Sequence, residues 1–284
     1  MKLQWTPLLL AGTLAAATAA SSYTGQIAEW RTKHEAGLRG PNGWLSVAGL
    51  FWLHEGPNVV GADPHSDVVL PEGGPKRAGV LSFQGGKVSF EPADPAYTGK
   101  RGPVLIDVEG RPDVIEITGI QLTIIRRGDR TGVRMRDPRA ATRRNFTGLQ
   151  WFPAEDAWRI TAKWTAYPEP RKIAITNVLG MTDQEPSPGY AEFTVRGQKL
   201  RLEPVLEDDH LFFLFKDQTS GKSTYGAGRF LYSEMPKDGA VILDFNKAEN
   251  PPCAFTAFAT CPLPPRQNAL AAAIEAGEKN FGHH

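Results

Sequence analysis

The sequence predicts a mainly β fold: a β-barrel or β-sandwich C-terminal core, a smaller N-terminal β lobe, a short N-terminal helix and one C-terminal helix. Strand-length runs, alternating or wholly apolar, recur roughly every eight to twelve residues between turn signals. Only two stretches carry the helical period of about 3.6 residues. A chain of 284 residues accommodates one large β domain or two smaller ones. The expected division is a leader over 1–20, a helix and small β lobe over 21–145, and a β core over 146–284.

Lys2, the apolar run Pro7 to Ala19 and the small residues Ala17-Thr18-Ala19 match a secretory signal peptide. The run is too short to span a bilayer comfortably, and no second long apolar segment follows. A periplasmic or secreted protein with no membrane span is therefore expected. Lys2 is the sole charge of the leader, so the remainder balances 31 basic against 31 acidic residues. That balance argues against nucleic acid as a partner.

The first helix places Ile27, Trp30, His34 and Leu38 on one face, with Gly37 and Gly40-Pro41 as stop signals. His34 reads as a half-buried core neighbour. Gly43 to Leu53 is apolar and aromatic. It forms either a pair of core strands or, through Trp44 and Trp52, the aromatic wall of a pocket. Strands follow at Asn58–Gly61, Asp67–Leu70, Gly79–Phe83 and Lys87–Phe90, the last two joined by the hairpin signal Gly85-Gly86. Further strands are expected at Pro103–Val108, Asp113–Thr118, Gln121–Ile125 and Gly132–Arg136. The basic run Arg126, Arg127, Arg130, Arg134, Arg136, Arg139, Arg143 and Arg144 is interleaved with Asp129 and Asp137. It reads as a solvated, ion-paired face or as a cationic rim for a carboxylate or phosphate.

In the second half, Trp158, Ile160, Ala162 and Trp164 alternate with polar neighbours, as in a half-buried strand. Lys172–Thr176 is another strand, and Tyr190–Val195 with Lys199–Val205 makes a hairpin with one wet face. Leu211–Phe215 is apolar throughout, hence central. Gly226–Leu231 and Val241–Phe245 complete the sheet, and Asn268–Lys279 reads as the last helix. Between them, Asp244 to Pro265 holds both cysteines and five prolines. It is too proline-rich for a helix and too irregular for a strand, so the rest of the fold must satisfy its backbone. Cys253 and Cys261 form either one disulfide, worth roughly 2–3 kcal/mol, or two free buried thiols. Their spacing is not that of a zinc site, and neither metal nor cofactor is expected.

Ser220-Gly-Lys-Ser-Thr224 imitates a phosphate-binding loop. Lys216 stands where its first glycine belongs, so a plain turn is expected. No Gly-x-Ser-x-Gly or His-Glu-x-x-His pattern occurs. Asp244, Glu249, Glu275 and Glu278 are carboxylates near the proline loop, and either form an acid–base pair or are solvated and ion-paired. Arg229, on an expected central strand, requires a carboxylate, and Asp244 on the next strand is the expected partner.

Thr224-Tyr-Gly-Ala-Gly-Arg-Phe-Leu, Asp244-Phe-Asn, Asn250-Pro-Pro-Cys-Ala-Phe-Thr, Ala259-Thr-Cys-Pro-Leu-Pro-Pro, Asn268 and Ile274-Glu-Ala-Gly-Glu278 resemble the signature of the domain of unknown function 1684 family. Gly43-Trp-Leu, Gly49-Leu-Phe-Trp-Leu and Phe152-Pro fit the same pattern, with Glu249 in place of an expected aromatic residue. The resemblance implies one continuous module and no particular activity. The resulting expectation is a small polar ligand bound at the proline-rich loop. Candidate binding residues are Trp52, Trp151, Tyr225, Arg229, Asp244, Asn246, Asn250, Glu275 and Glu278, with Trp44 in the same aromatic wall. The alternatives are a hydrolase or isomerase using Asp244 or Glu275 with Arg229, and a structural protein without a catalytic site.

Overall fold

Ser22 starts the first element, its Oγ accepting the Gly25 amide at 3.2 Å. The computed structural model describes residues 22–281, so the expected leader and the terminal histidines lie outside the described residues. Helix α1 (Tyr23–Arg39) runs through Gly37 and ends before Gly40-Pro41. It buries Ile27 and Leu38. Trp30 and His34, one turn apart, stack at 5.2 Å. No helix among the described residues is long and apolar enough to cross a membrane.

The N-terminal half is two open sheets. One has the order β1 (Val47–Trp52), β9 (Arg130–Arg136), β8 (Ile120–Arg127), β7 (Val114–Ile117). The other runs β3 (Val68–Val69), β2 (Gly56–Gly61), β4 (Gly79–Gln84), β5 (Lys87–Pro92), β6 (Gly102–Val104). Gly85 and Gly86 turn the β4–β5 hairpin at φ 55° and 81°, a conformation that favours glycine. Leu81, Phe90, Ile115, Leu122 and Ile124 fill the space between the sheets. A four-residue helix, α2 (Ala141–Arg144), follows β9.

The C-terminal half is also two open sheets, not a closed barrel. The larger has the order β12 (Gln198–Leu202), β11 (Thr182–Val195), β10 (Arg159–Thr176), β16 (Ala240–Asp244). The smaller is β13 (Val205–Glu207), β14 (His210–Phe215), β15 (Arg229–Glu234). Phe193 pairs with Leu200 and Ala191 with Leu202, as the alternation predicts. The expected strand Lys172–Thr176 is the far end of one long β10, bulged between Ala166 and Arg171. Phe213, Phe215, Leu231, Leu243 and Phe245 form its core.

The expected C-terminal helix is absent. Residues 269–279 run as irregular chain with bends at 271, 272 and 277, and bury Leu270, Ala272, Ile274, Ala276 and Glu278. Leu270 N donates to the Lys216 carbonyl, and the Ala272 carbonyl accepts Gln218 N. Gly277, at φ 77°, lies so close to Ala248 that a Cβ there would stand 2.4 Å from its carbonyl oxygen. The carbonyls of Ile274 and Ala276 accept the Arg229 guanidinium. The Ala272 and Ile274 carbonyls would accept amides four residues on in an α-helix, so here tertiary partners override an alanine-rich helical pattern.

Arg229 is 1% exposed. Its carboxylate partner is Asp217, at 2.7 Å, rather than Asp244. Asp244 points the other way and accepts the Tyr23 hydroxyl at 2.6 Å. Asp217 follows the buried strand β14, so its carboxylate enters the core beside β15, whereas β16 belongs to the other sheet. Removing one member of a fully buried pair strands the other charge. Asp217→Asn is expected to cost about 3–5 kcal/mol in urea denaturation, and Asp244→Asn about 1.5–3 kcal/mol or less. Equal losses would contradict this pairing.

Candidate functional site

The structure scatters most of the residues expected to share a site. Arg229 is locked in the core. Asp244 and Asn246 bind Tyr23, and Asn246 also bonds the Glu155 backbone in both directions. Glu275 is at the surface, paired with Arg196 at 2.7 Å. No cleft therefore joins Asp244 or Glu275 to Arg229, which removes the geometry of the expected carboxylate-based alternative. Trp52 lies under Arg130 on β1. Trp151 donates its indole N–H to Glu35 at 3.3 Å. Tyr225 opens onto a separate hollow beside Cys253, and its hydroxyl donates to the Cys253 carbonyl at 3.2 Å. Of the expected set, Asn250 and Glu278 do meet.

Asn250 lines a cavity of about 430 Å³ between the two halves, closed on one side by α1, and the fully buried Glu278 lies behind it. The proline loop forms one wall. It is held by a two-way backbone pairing of Glu249 with Phe230 at 2.9 Å, by Val178 N, just past β10, donating to the Cys261 carbonyl, and by Leu263 N donating to the Thr176 carbonyl. Trp44, Phe212 and Phe230 supply apolar surface, and Phe212 packs edge-on against Phe230 at 4.8 Å. Arg127 and Arg134 enter from the N-terminal half. Arg127 is paired with Asp107 at 2.6 Å and also donates to Thr260 Oγ1 at 3.2 Å, which ties the loop to β8.

Arg134 is different. It is 7% exposed, it forms no ion pair among the described residues, and its Nε has no hydrogen-bond partner. Its guanidinium lies over the Trp44 ring at 4.9 Å. Burial, with Arg127 and Arg136 nearby, pulls its pKa down to about 10, so it stays charged at neutral pH. A buried charge without a carboxylate is costly, and such a group at a cavity wall points to something that fills the cavity.

Opposite stands a second cluster. Both oxygens of the fully buried Glu278 accept from Asn250: Oε2 from its backbone N–H at 2.9 Å, and Oε1 from Nδ2 at 2.6 Å. His34 sits between two carboxylates, Nδ1 3.2 Å from Glu249 and Nε2 3.6 Å from Glu278. Trp30 stacks on the imidazole and Trp151 meets it edge-on at 5.8 Å, which fixes the ring. Burial alone would lower the His34 pKa, but the nearby carboxylates of Glu278, Glu249 and Glu35 raise it on balance, although Nε2, 3.6 Å from Glu278, makes no hydrogen bond. Burial pushes Glu249 up to about 7, with His34 drawing it partly back and Glu278 adding repulsion. His34, its pKa raised, and Glu249, at about 7, both face the cavity. No group of three or more side chains suited to a metal occurs among the described residues.

The cysteines lie in the same loop as free thiols. The Cys253 amide donates to Cys261 Sγ at 3.0 Å. Hydrogen bonding from Cys261 holds the Cys253 thiol down to about 7, while the same contact and burial push Cys261 up. Only Cys261 borders the cavity.

Arg134 was legible as one arginine of a basic run, and Trp44 as an aromatic wall. His34 read as a core neighbour, and Glu249 as one of four carboxylates near the loop that are either an acid–base pair or solvated. His34 shares the inward face of α1 with Trp30, and Glu249 follows Ala248 directly into the loop. Neither spacing says that the helix lies against the loop.

The family model described as a protein of unknown function (DUF1684) matches residues 144–279. Among solved structures, the chain is similar to an uncharacterised protein of Haloarcula marismortui determined by solution NMR, at 30% sequence identity. The match covers 48% of this chain and 78% of that one, with a TM-score of 0.41. None of the curated proteins matches.

The proton-binding cluster has a consequence for stability. Glu249 and His34 both have raised pKa values in the fold, so each favours the folded state when protonated. For Glu249 this contribution is complete below about 4.5 and is lost as pH rises through about 7; for His34 it is complete below 6.5 and is lost at higher pH. Unfolding free energy measured in urea should therefore fall as pH rises from about 4.5 past 7. Glu249→Gln, which is neutral throughout and removes one of the charges raising His34, should flatten that slope. An unchanged slope would contradict the burial of Glu249.

Proposed function

The chain belongs to the DUF1684 family, and from that premise we propose that the cavity between its halves binds a small organic acid. The acid group lies on Arg134, and its apolar body lies against Trp44, Phe212 and Phe230. The observation that carries this reading is Arg134 itself: a buried guanidinium over an aromatic ring, with no protein carboxylate of its own. Arginine presents a planar fork that matches a carboxylate in bidentate fashion. The volume of about 430 Å³ is that of a small-molecule site. A second reading, acid–base catalysis on the bound acid, is favoured by the His34–Glu249 contact of 3.2 Å facing the same cavity.

The test is ligand extraction from the purified native protein with mass spectrometry, followed by thermal-shift titration with aryl and alkyl carboxylates. Arg134→Met should weaken carboxylate binding about tenfold or more, the loss of a charge-assisted contact. Equal affinity in the variant would refute the reading.

The same reading places the protein outside the cytoplasm, supported by Lys2, the apolar run and Ala17-Thr18-Ala19. Intact mass of the protein recovered from the periplasm or medium should correspond to a chain lacking this leader. A full-length mass would rule export by cleavage out.

A further inference from the structure

We infer that the ligand of this cavity is a zwitterion, a carboxylate that also carries an ammonium group, such as an amino acid. This inference rests on the binding-site reading above and adds the second charge to it.

The cavity has two walls of opposite sign. The basic wall comes from the N-terminal half: Arg127 on β8 and Arg134 on β9. The acidic wall comes from the C-terminal half: Glu207 at the end of β13 and Glu249 in the proline loop, with the partly exposed Tyr232. After burial, the charges of Glu207 and Glu249 are what raise the Tyr232 pKa, which places both carboxylates about that hydroxyl. Trp44, Phe212 and Phe230 line the same cavity.

The two walls do not satisfy each other. The charges that act on Arg134 come from Arg127, Arg136, Asp107 and Cys261. Those that act on Glu249 come from His34 and Glu278. No ion pair joins an arginine of one wall to a glutamate of the other among the described residues. Within the acidic wall, His34 is shared between Glu249 and the fully buried Glu278, so one imidazole serves two carboxylates. A ligand bearing only a carboxylate would satisfy Arg134 and leave the acidic wall as a like-charged, partly desolvated surface beside it. A ligand bearing only an amine would leave Arg134 unpaired. A molecule with both charges and an apolar body answers each wall. The unmatched groups discriminate against the singly charged analogues.

The decisive comparison uses paired probes on the full chain by isothermal titration calorimetry. Phenylalanine is set against hydrocinnamate and phenethylamine, and aminocaproate against caproate, so that two charge separations are sampled. The expected result is that at least one zwitterion binds about tenfold or more tightly than its carboxylate counterpart. In Glu249→Gln that preference should collapse to about twofold or less. Wild-type protein that binds hydrocinnamate and caproate as tightly as the zwitterions would overturn the inference while leaving the acid-binding site standing. A preference that survives in Glu249→Gln would overturn the role of the acidic wall. If no carboxylate probe binds at all, the binding-site reading falls and this inference falls with it. The wild-type comparison decides the main point without the variant, whose folding is checked by its melting curve.

Discussion

A guanidinium with no access to water governs the C-terminal half. Arg229 is dehydrated at high cost unless its donors are met, and the fold meets its two terminal nitrogens from two directions while Nε stays without a partner. Asp217, just past β14, supplies the charge. The carbonyls of Ile274 and Ala276 supply neutral acceptors. That second requirement opposes a helix over 269–279, since a helix would keep the Ile274 carbonyl for the amide of residue 278. The last segment instead passes the arginine as irregular chain, and Gly277 provides the bend that lets it clear Ala248. Two further anchors set its path. Asn268 bonds the Glu203 and Leu214 backbones, and Glu278 N reaches the Ala248 carbonyl.

The position of the cavity follows from that path. Once residue 277 has turned, Glu278 enters under Asn250 with both oxygens occupied. Its charge sits at the back of His34, and Glu249 sits at the front. The proton-binding cluster is thus an indirect product of the buried ion pair. The opposite wall owes nothing to it: Arg134 is carried by β9, whose neighbouring residues Val133 and Met135 belong to the N-terminal core. Two independently built surfaces line the cavity with α1 packed along the seam, which explains why their charges are complementary in sign yet form no ion pair with each other among the described residues.

Much of the β architecture was legible in the chain, because period-two burial and glycine turns are local signals. The hairpin of β11 and β12 and the all-apolar β14 fall where alternation and composition place them. What failed was non-local. Helical propensity in Asn268–Lys279 was real but was outbid by backbone partners more than fifty residues away in sequence, such as Leu214 and Lys216. Arg229 rightly demanded a carboxylate, but adjacency in sequence order suggested Asp244, while the sheets place Asp217 beside it. Within the site, Asn250 and Glu278 stood out through their motif positions. His34 read as a core residue because a helical face shows that a residue points inward without saying toward what. Arg134 was hidden among neighbours of the same charge. Only burial distinguishes an arginine that a strand turns inward from one that solvent satisfies.

The seam placement of His34 also bears on the order in which the molecule assembles. The cavity needs side chains from residue 34, from residue 134 and from residue 249, so its contacts span much of the chain. Such contacts close late, after the hairpins and meanders that need only local loops. Helix α1 buries just two apolar residues, Ile27 and Leu38, and is otherwise held by ring contacts of Trp30 and His34 with Trp151 and by polar ties such as Tyr23 to Asp244 and Arg31 to the Phe152 carbonyl. Segments so attached open at lower free energy than a sheet core. The helix therefore acts as the final latch of the molecule: a partly folded chain can have all four sheets and still lack the site, and occupancy of the cavity would report that the last piece has closed.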